Sequence, residues 1–314
     1  MATTLRLGER DGLKICVSRA DSLALVARPW PKPVEQDSRG ILDPWLLRQR
    51  VRLTRYPASP TLSGLIDRFW AVEWDLPEPT VHSQQVLTHP GANLTVGHAD
   101  ARRTDHPPGH IEARLNGVAQ ELSTRVLSGR GWTVAAMTTP GGLGAFLTRS
   151  ASAFTDRAVP LGQVLGIDEE LLVERIAVAE DPSARVAVLA AALEDVLAAA
   201  DPGRVGRARQ VAELGRLAET DRSLRQLPDL CARAGLGPRT LQRMFLQHAG
   251  VPPTWVLRRY RLLEAAERVR DGQRVSWATV AADLGYADQA HLTRDFRSAI
   301  GQTPAAYAEA QPSG

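Results

Sequence analysis

The sequence predicts an α+β chain: a β-rich N-terminal domain, a helical connector and an all-α C-terminal domain with two helix-turn-helix motifs. Three observations predict it. Trp70, Val72 and Trp74 alternate with Ala71, Glu73 and Asp75, the period of a half-buried strand. After about residue 143 apolar residues recur at helical spacing. The last third contains an internal duplication.

The first element is an N-terminal arm, residues 1–47, punctuated by Pro29-Trp-Pro-Lys-Pro33 and read as loosely ordered. Residues 48–165 follow as a β-rich domain. Strands are expected around Trp70–Trp74 and over Gln85–Thr88, Asn93–Gly97, Ile111–Leu115, Thr124–Leu127 and Thr133–Met137. Asp100–His110 reads as a loop, and the turn Thr139-Pro-Gly-Gly142 closes the strand region. Asp168–Glu180 and Ser183–Ala200 each carry apolar residues at i, i+3, i+4 and i+7, giving a helical connector over 166–203. Asp201-Pro-Gly breaks the chain before a helical domain at 204–308, and 309–314 form a tail.

Composition bounds the classes of function. The 314 residues are 44% hydrophobic and 23% charged, ordinary globular values with room for two domains. No run of 18 apolar residues occurs and the N-terminus lacks an apolar signal core, so the expectation is a cytoplasmic protein with no membrane partner. Two cysteines, Cys16 and Cys231, exclude a disulfide scaffold and an all-cysteine zinc site. The net charge of +3 hides an asymmetry: residues 204–314 hold 17 Arg against 11 acidic residues. A basic end behind a mildly acidic body suits a polyanionic partner.

The duplication is the most informative feature. Leu227, Leu230, Cys231, Gly235 and Leu236 recur 50 residues later as Trp277, Val280, Ala281, Gly285 and Tyr286. Leu241, Arg243, Phe245, Gly250 and Pro253 recur 51 residues later as Leu292, Arg294, Phe296, Gly301 and Pro304. The growing offset predicts a second turn one residue longer. Each copy reads as a short helix, a Gly turn and a second helix. In the first copy Leu241, Met244 and Phe245 point inward, leaving Arg239, Gln242 and Arg243 outside. In the second, Leu292, Phe296 and Ile300 point inward, leaving Gln289, Thr293, Arg294 and Arg297 outside. Arg offers two donors to guanine O6 and N7, and Gln matches adenine N6 and N7, so both faces carry side chains that major-groove edges accept. Between the copies, Thr254–Arg270 reads as one helix about 25 Å long at 1.5 Å per residue. It is suited to holding two recognition helices near one turn of duplex apart. Arg258, Arg259 and Arg297 are the expected phosphate contacts.

These residues resemble the DNA-binding module of the AraC/XylS family of bacterial transcription regulators. The resemblance rests on Gly235-Leu-Gly-Pro-Arg-Thr-Leu-Gln-Arg-Met-Phe245, on Arg261-Leu262 with Ala265, and on Gly285 through Arg297 with Gly301-Gln-Thr-Pro304. Departures are Gly237 for the usual Ser, Val256 for a frequent Tyr and Ala290 for the usual Ser. The resemblance implies that Arg239, Gln242 and Arg243 enter one groove and Gln289, Thr293 and Arg294 the next. It implies double-stranded DNA as partner, with RNA polymerase, a small-molecule effector and a second copy of the chain as further candidates. Val86 through Leu94, Thr139–Gly142 and Leu147 through Leu161 look like a β-rich sensory domain found before this module. The alternative is an interaction protein whose front half only dimerises or docks a partner.

Other constellations are weaker. Five of the seven histidines, His82, His89, His98, His106 and His110, fall within 29 residues, but their spacing fits no compact ligand motif, so neither a metal nor a cofactor is expected. Trp70 and Trp74 share one side of a strand and are the candidate walls of an apolar ligand pocket, or else core. Alkyl-transfer repair proteins that carry a similar module use a four-cysteine zinc site, which two cysteines cannot build. No nucleophile elbow, phosphate loop or HExxH motif is present, and no enzyme is expected.

Overall fold

A computed structural model describes residues 40–107, 109–270 and 276–311. The expectations for 1–39, including Pro29–Pro33 and Cys16, and for 312–314 lie outside the described residues. The end of the expected arm is a packed segment. Ile41 and Leu42 are buried, Ile41 bridges to Val86, and Pro44 opens helix α1 (Pro44–Arg50), which buries Leu47. Proline suits a first helical position, so punctuation that reads as loop here starts a helix.

A six-stranded antiparallel sheet runs in the order β1 (Val51–Pro57), β2 (Ile66–Asp75), β7 (Arg130–Thr138), β4 (Asn93–His98), β5 (Ile111–Asn116), β8 (Ala158–Pro160). A two-stranded sheet pairs β3 (Val81–Val86) with β6 (Ser123–Ser128). The expected strand at Gln85–Thr88 thus lies earlier, at Val81–Val86. Its inward residues are His82 and Gln84, which bond each other at 3.2 Å, so no apolar alternation marks it.

The helical stretch expected from about 143 begins only at 161. Before it lie two 3-10 turns, Gly142–Ala145 and Ala151–Phe154. Leu143, Ala145, Phe146, Leu147, Ala151 and Phe154 are all buried, and a segment buried on several sides carries no single period. After α2 (Leu161–Leu165), helices α3 (Glu169–Ala177) and α4 (Pro182–Ala198) start at Asp168 and Asp181, whose carboxylates accept from Leu171 N and Ala184 N. α4 buries Val186, Leu189, Ala190 and Leu193 against β2 and β7, while α3 packs on β4 and β5. The stretch expected as a connector is therefore a layer on the sheet.

The all-α part opens with α5 (Pro202–Thr220), docked on the Thr139–Gly142 turn. Gly141 has φ +95°, and a Cβ there would stand 2.5 Å from Val211 Cγ1. Only glycine permits this approach. Helices α6 (Leu227–Ala234), α7 (Pro238–His248), α8 (Pro253–Arg270), α9 (Trp277–Asp283), α10 (Gln289–Ile300) and α11 (Pro304–Glu309) complete the fold. Leu42, Leu87 and Val118 from the β-rich part join Val211, Leu257, Leu263 and Tyr307 in one apolar core. Among the described residues no helix is long and apolar enough to cross a membrane.

Candidate nucleic-acid interface

The duplicated sequence folds as two helix-turn-helix units, α6–α7 and α9–α10. Gly235 and Gly285 take left-handed φ of +64° and +73° at the two turns. Two residues separate Gly235 from the start of α7 and three separate Gly285 from α10, the added residue that the offset implies. Pro238 occupies the first turn of α7, whereas Asp288 Oδ1 caps α10 by accepting from His291 N at 2.6 Å.

On α7 Leu241 and Phe245 are fully buried, which turns Arg239, Gln242 and Arg243 into solvent. On α10 Leu292, Phe296 and Ile300 are buried, and Gln289, Arg294 and Arg297 are exposed. Thr293 is half-buried, and its hydroxyl donates to the Gln289 carbonyl at 2.8 Å. The expected reading residues thus fall into two matching clusters, one per unit.

The phosphate expectation divides. Arg297 is exposed. Arg258 is held by Asp295, a buried carboxylate of α10 that also accepts from Tyr286 OH at 3.0 Å. Burial, followed by Asp295, pushes the Tyr286 hydroxyl pKa far up, so the phenol keeps its proton. Arg259 is corrected outright: it is 3% exposed and cannot meet a phosphate. Its guanidinium donates to the Thr88 carbonyl at 3.4 Å and to the Gln120 carbonyl, both in the β-rich part, and lies 4.5 Å from the Trp255 ring. Burial lowers its pKa to about 10, still charged at neutral pH. The spacing in α8 places Arg259 beside the apolar stripe but gives no sign of its carbonyl partners.

Further ties cross between the two parts. Arg204 donates to the carbonyls of Gly144 at 2.7 Å, Thr148 and Arg149, and Arg209 donates to Ser63 O at 2.6 Å. Ser150 Oγ and Thr155 Oγ1 donate to the carbonyls of Leu246 and Gly250 at the end of α7. His248 of α7 is 2% exposed, close against Gly144. Burial first, then Arg204 and Arg207, lowers its pKa to about 4.

The tryptophans separate. Trp74 lines a cavity of about 920 Å³ at one end of the sheet. Trp70 is not among its walls and donates from Nε1 to Asn93 Oδ1 at 3.0 Å. Among the described residues no group of three His, Cys, Asp or Glu is placed to hold a metal ion; His106 and His110 stack at 4.1 Å. Cys231 is buried in α6.

Residues 230–310 match the model of a helix-turn-helix domain, and residues 54–160 match a domain of unknown function, DUF6597. The HTH-type transcriptional activator RhaS of Pectobacterium carotovorum is 40% identical over 75 residues, 24% of this chain and 26% of that protein. The C-terminal third is thus similar to a protein named as an HTH-type transcriptional activator, in line with the AraC/XylS resemblance of its sequence. The transcriptional activator NphR of a Rhodococcus species is 30% identical over 128 residues, 40% of this chain and 37% of its own length. The chain thus spans between a quarter and two-fifths of these relatives. Among solved structures, ToxT of Vibrio cholerae aligns over 84% of this chain and 99% of its own, at 10% identity and a TM-score of 0.37.

Departures from the AraC/XylS pattern have structural counterparts. Gly237 gives α7 no side-chain cap, and Pro238 alone fixes its entry. Val256 is fully buried in α8, where a phenol would need a partner. Ala290 is exposed beside Gln289 and offers no hydrogen bond.

Proposed function

We propose that the chain is a sequence-specific DNA-binding transcription regulator reading two adjacent major-groove segments. Arg239, Gln242 and Arg243 read one segment, Gln289, Thr293 and Arg294 the next, and Arg297 grips phosphate. One observation carries the reading: two units of one duplicated motif each expose arginine and glutamine, on α7 and α10, with Arg243 and Arg294 in equivalent positions. The relatives matched over this third are named as transcriptional activators. By the same reading the chain works in the cytoplasm, is no enzyme, meets RNA polymerase, forms a homodimer and takes a small-molecule effector in its β-rich half.

Selection of binding sites from random duplexes by the full chain, at near-physiological salt, tests it. Two enriched blocks about 34 Å apart, one helical turn, are expected. A single block would remove one helix from base reading, and sequence-independent retention would overturn the proposal.

A further inference from the structure

The cavity beside Trp74 lies between α1, the starts of β1 and β7, the end of β2 and the first turn of α4. Five arginines line it against two carboxylates, Glu73 and Asp75. Arg185 is the inner one: its guanidinium covers the Trp132 ring at 4.3 Å and pairs with Glu73 at 3.6 Å. Arg52 and Arg130 stand exposed at the rim, and among the described residues neither has a carboxylate within salt-bridge distance. Like charges gathered around a concavity repel one another, and an anion placed among them relieves the repulsion.

Aromatic rings line the same cavity beside the charge. His98 sits edge-on between Trp74 and Trp132, with ring centroids 6.0 and 5.6 Å away. Its Nδ1 is fixed on the Trp132 backbone, 3.1 Å from the N–H and 3.2 Å from the carbonyl oxygen. Charged donors and apolar rings on one wall suit a molecule with one anionic end and one apolar body.

We infer that this cavity binds a small organic anion, a carboxylate or sulfonate carried on a flat apolar body. Arg52, Arg130 and Arg185 face the anionic end, and Trp74, His98 and Trp132 contact the body. The inference rests on the effector reading above and gives that effector a site and a charge.

The test uses the full chain and two probes sharing one ring system: anionic 1-anilinonaphthalene-8-sulfonate and neutral N-phenyl-1-naphthylamine. Tryptophan quenching and probe fluorescence are followed together. One-site binding of the sulfonate is expected, with the neutral twin weaker by at least about tenfold, the worth of one charge-assisted contact. Arg52→Gln with Arg130→Gln should weaken the sulfonate by at least about fivefold and leave the neutral twin unchanged. Arg216→Gln on α5, which removes an exposed arginine elsewhere, should change neither. Equal affinity for the two probes, absence of sulfonate binding, or indifference to the rim substitutions would overturn the inference. Duplex selection with the same variants reports separately on the regulator reading, so either proposal can fail alone.

Discussion

Arg259, carried by the helix between the two helix-turn-helix units, donates its guanidinium to the Gln120 carbonyl of the β-rich part. The arginine is charged and almost wholly buried, and its partners are backbone carbonyls of Thr88 and Gln120. Arg259→Ala should therefore cost about 2–4 kcal/mol, by removing charge-assisted hydrogen bonds to two carbonyls and the contact with Trp255. Urea denaturation measures it. Arg259→Lys keeps the charge but cannot reach both carbonyls as a fork does, and should recover only part of the loss.

Arg243 and Arg294 occupy equivalent positions of the two units. Arg243→Ala and Arg294→Ala should each weaken a selected site by about 1–3 kcal/mol and relax preference in one block only. Equal weakening on random and selected duplex would remove both from base reading.

Arg297 and Arg258 should behave differently despite similar exposure. Losing one phosphate contact lowers the slope of log K against log salt by about 0.9, which is the expectation for Arg297→Gln. Arg258→Gln leaves the Asp295 carboxylate with Tyr286 alone, so its effect should appear in the melting temperature. A slope change at Arg258 equal to that at Arg297 would make both phosphate ligands.

Acid should loosen the seam between α7 and the β-rich part. His248 titrates at about 4 when folded and at 6.5 when exposed, so below pH 6.5 the unfolded chain binds the extra proton. The neutral folded form is fully favoured above pH 6.5, and its advantage is lost progressively as pH falls toward 4. That loss amounts to roughly 3 kcal/mol. Burial lowers the pKa of His82 as well, adding a loss of the same sign. Denaturation midpoints across this range should fall for the native chain, and His248→Leu should flatten the profile. An unchanged slope in that variant would clear His248.

The helix-turn-helix units were legible because each needs one buried stripe, one turn glycine and a second copy to compare. The β3 strand was not, because its inward side chains are His82 and Gln84 and polar residues carry no burial signal. Helices α3 and α4 were visible, but their apolar stripes name a buried face without saying what covers it. The same limit applies to Arg259, since its partners are carbonyls 139 and 171 residues away. Asp295 offered the clearest missed sign: an acid between Leu292 and Phe296, beside the buried stripe of α10.

Helix α8, pinned near its middle by Arg259 and packed against both reading units, makes the chain behave as a gauge block. Inserting a single base pair between the two recognised segments shifts one by about 3.4 Å and rotates it by about 35° relative to the other. A jointed reader would swivel to follow. A braced one must release one half of its site, so tolerance for altered spacing should be low even where both blocks are perfect matches.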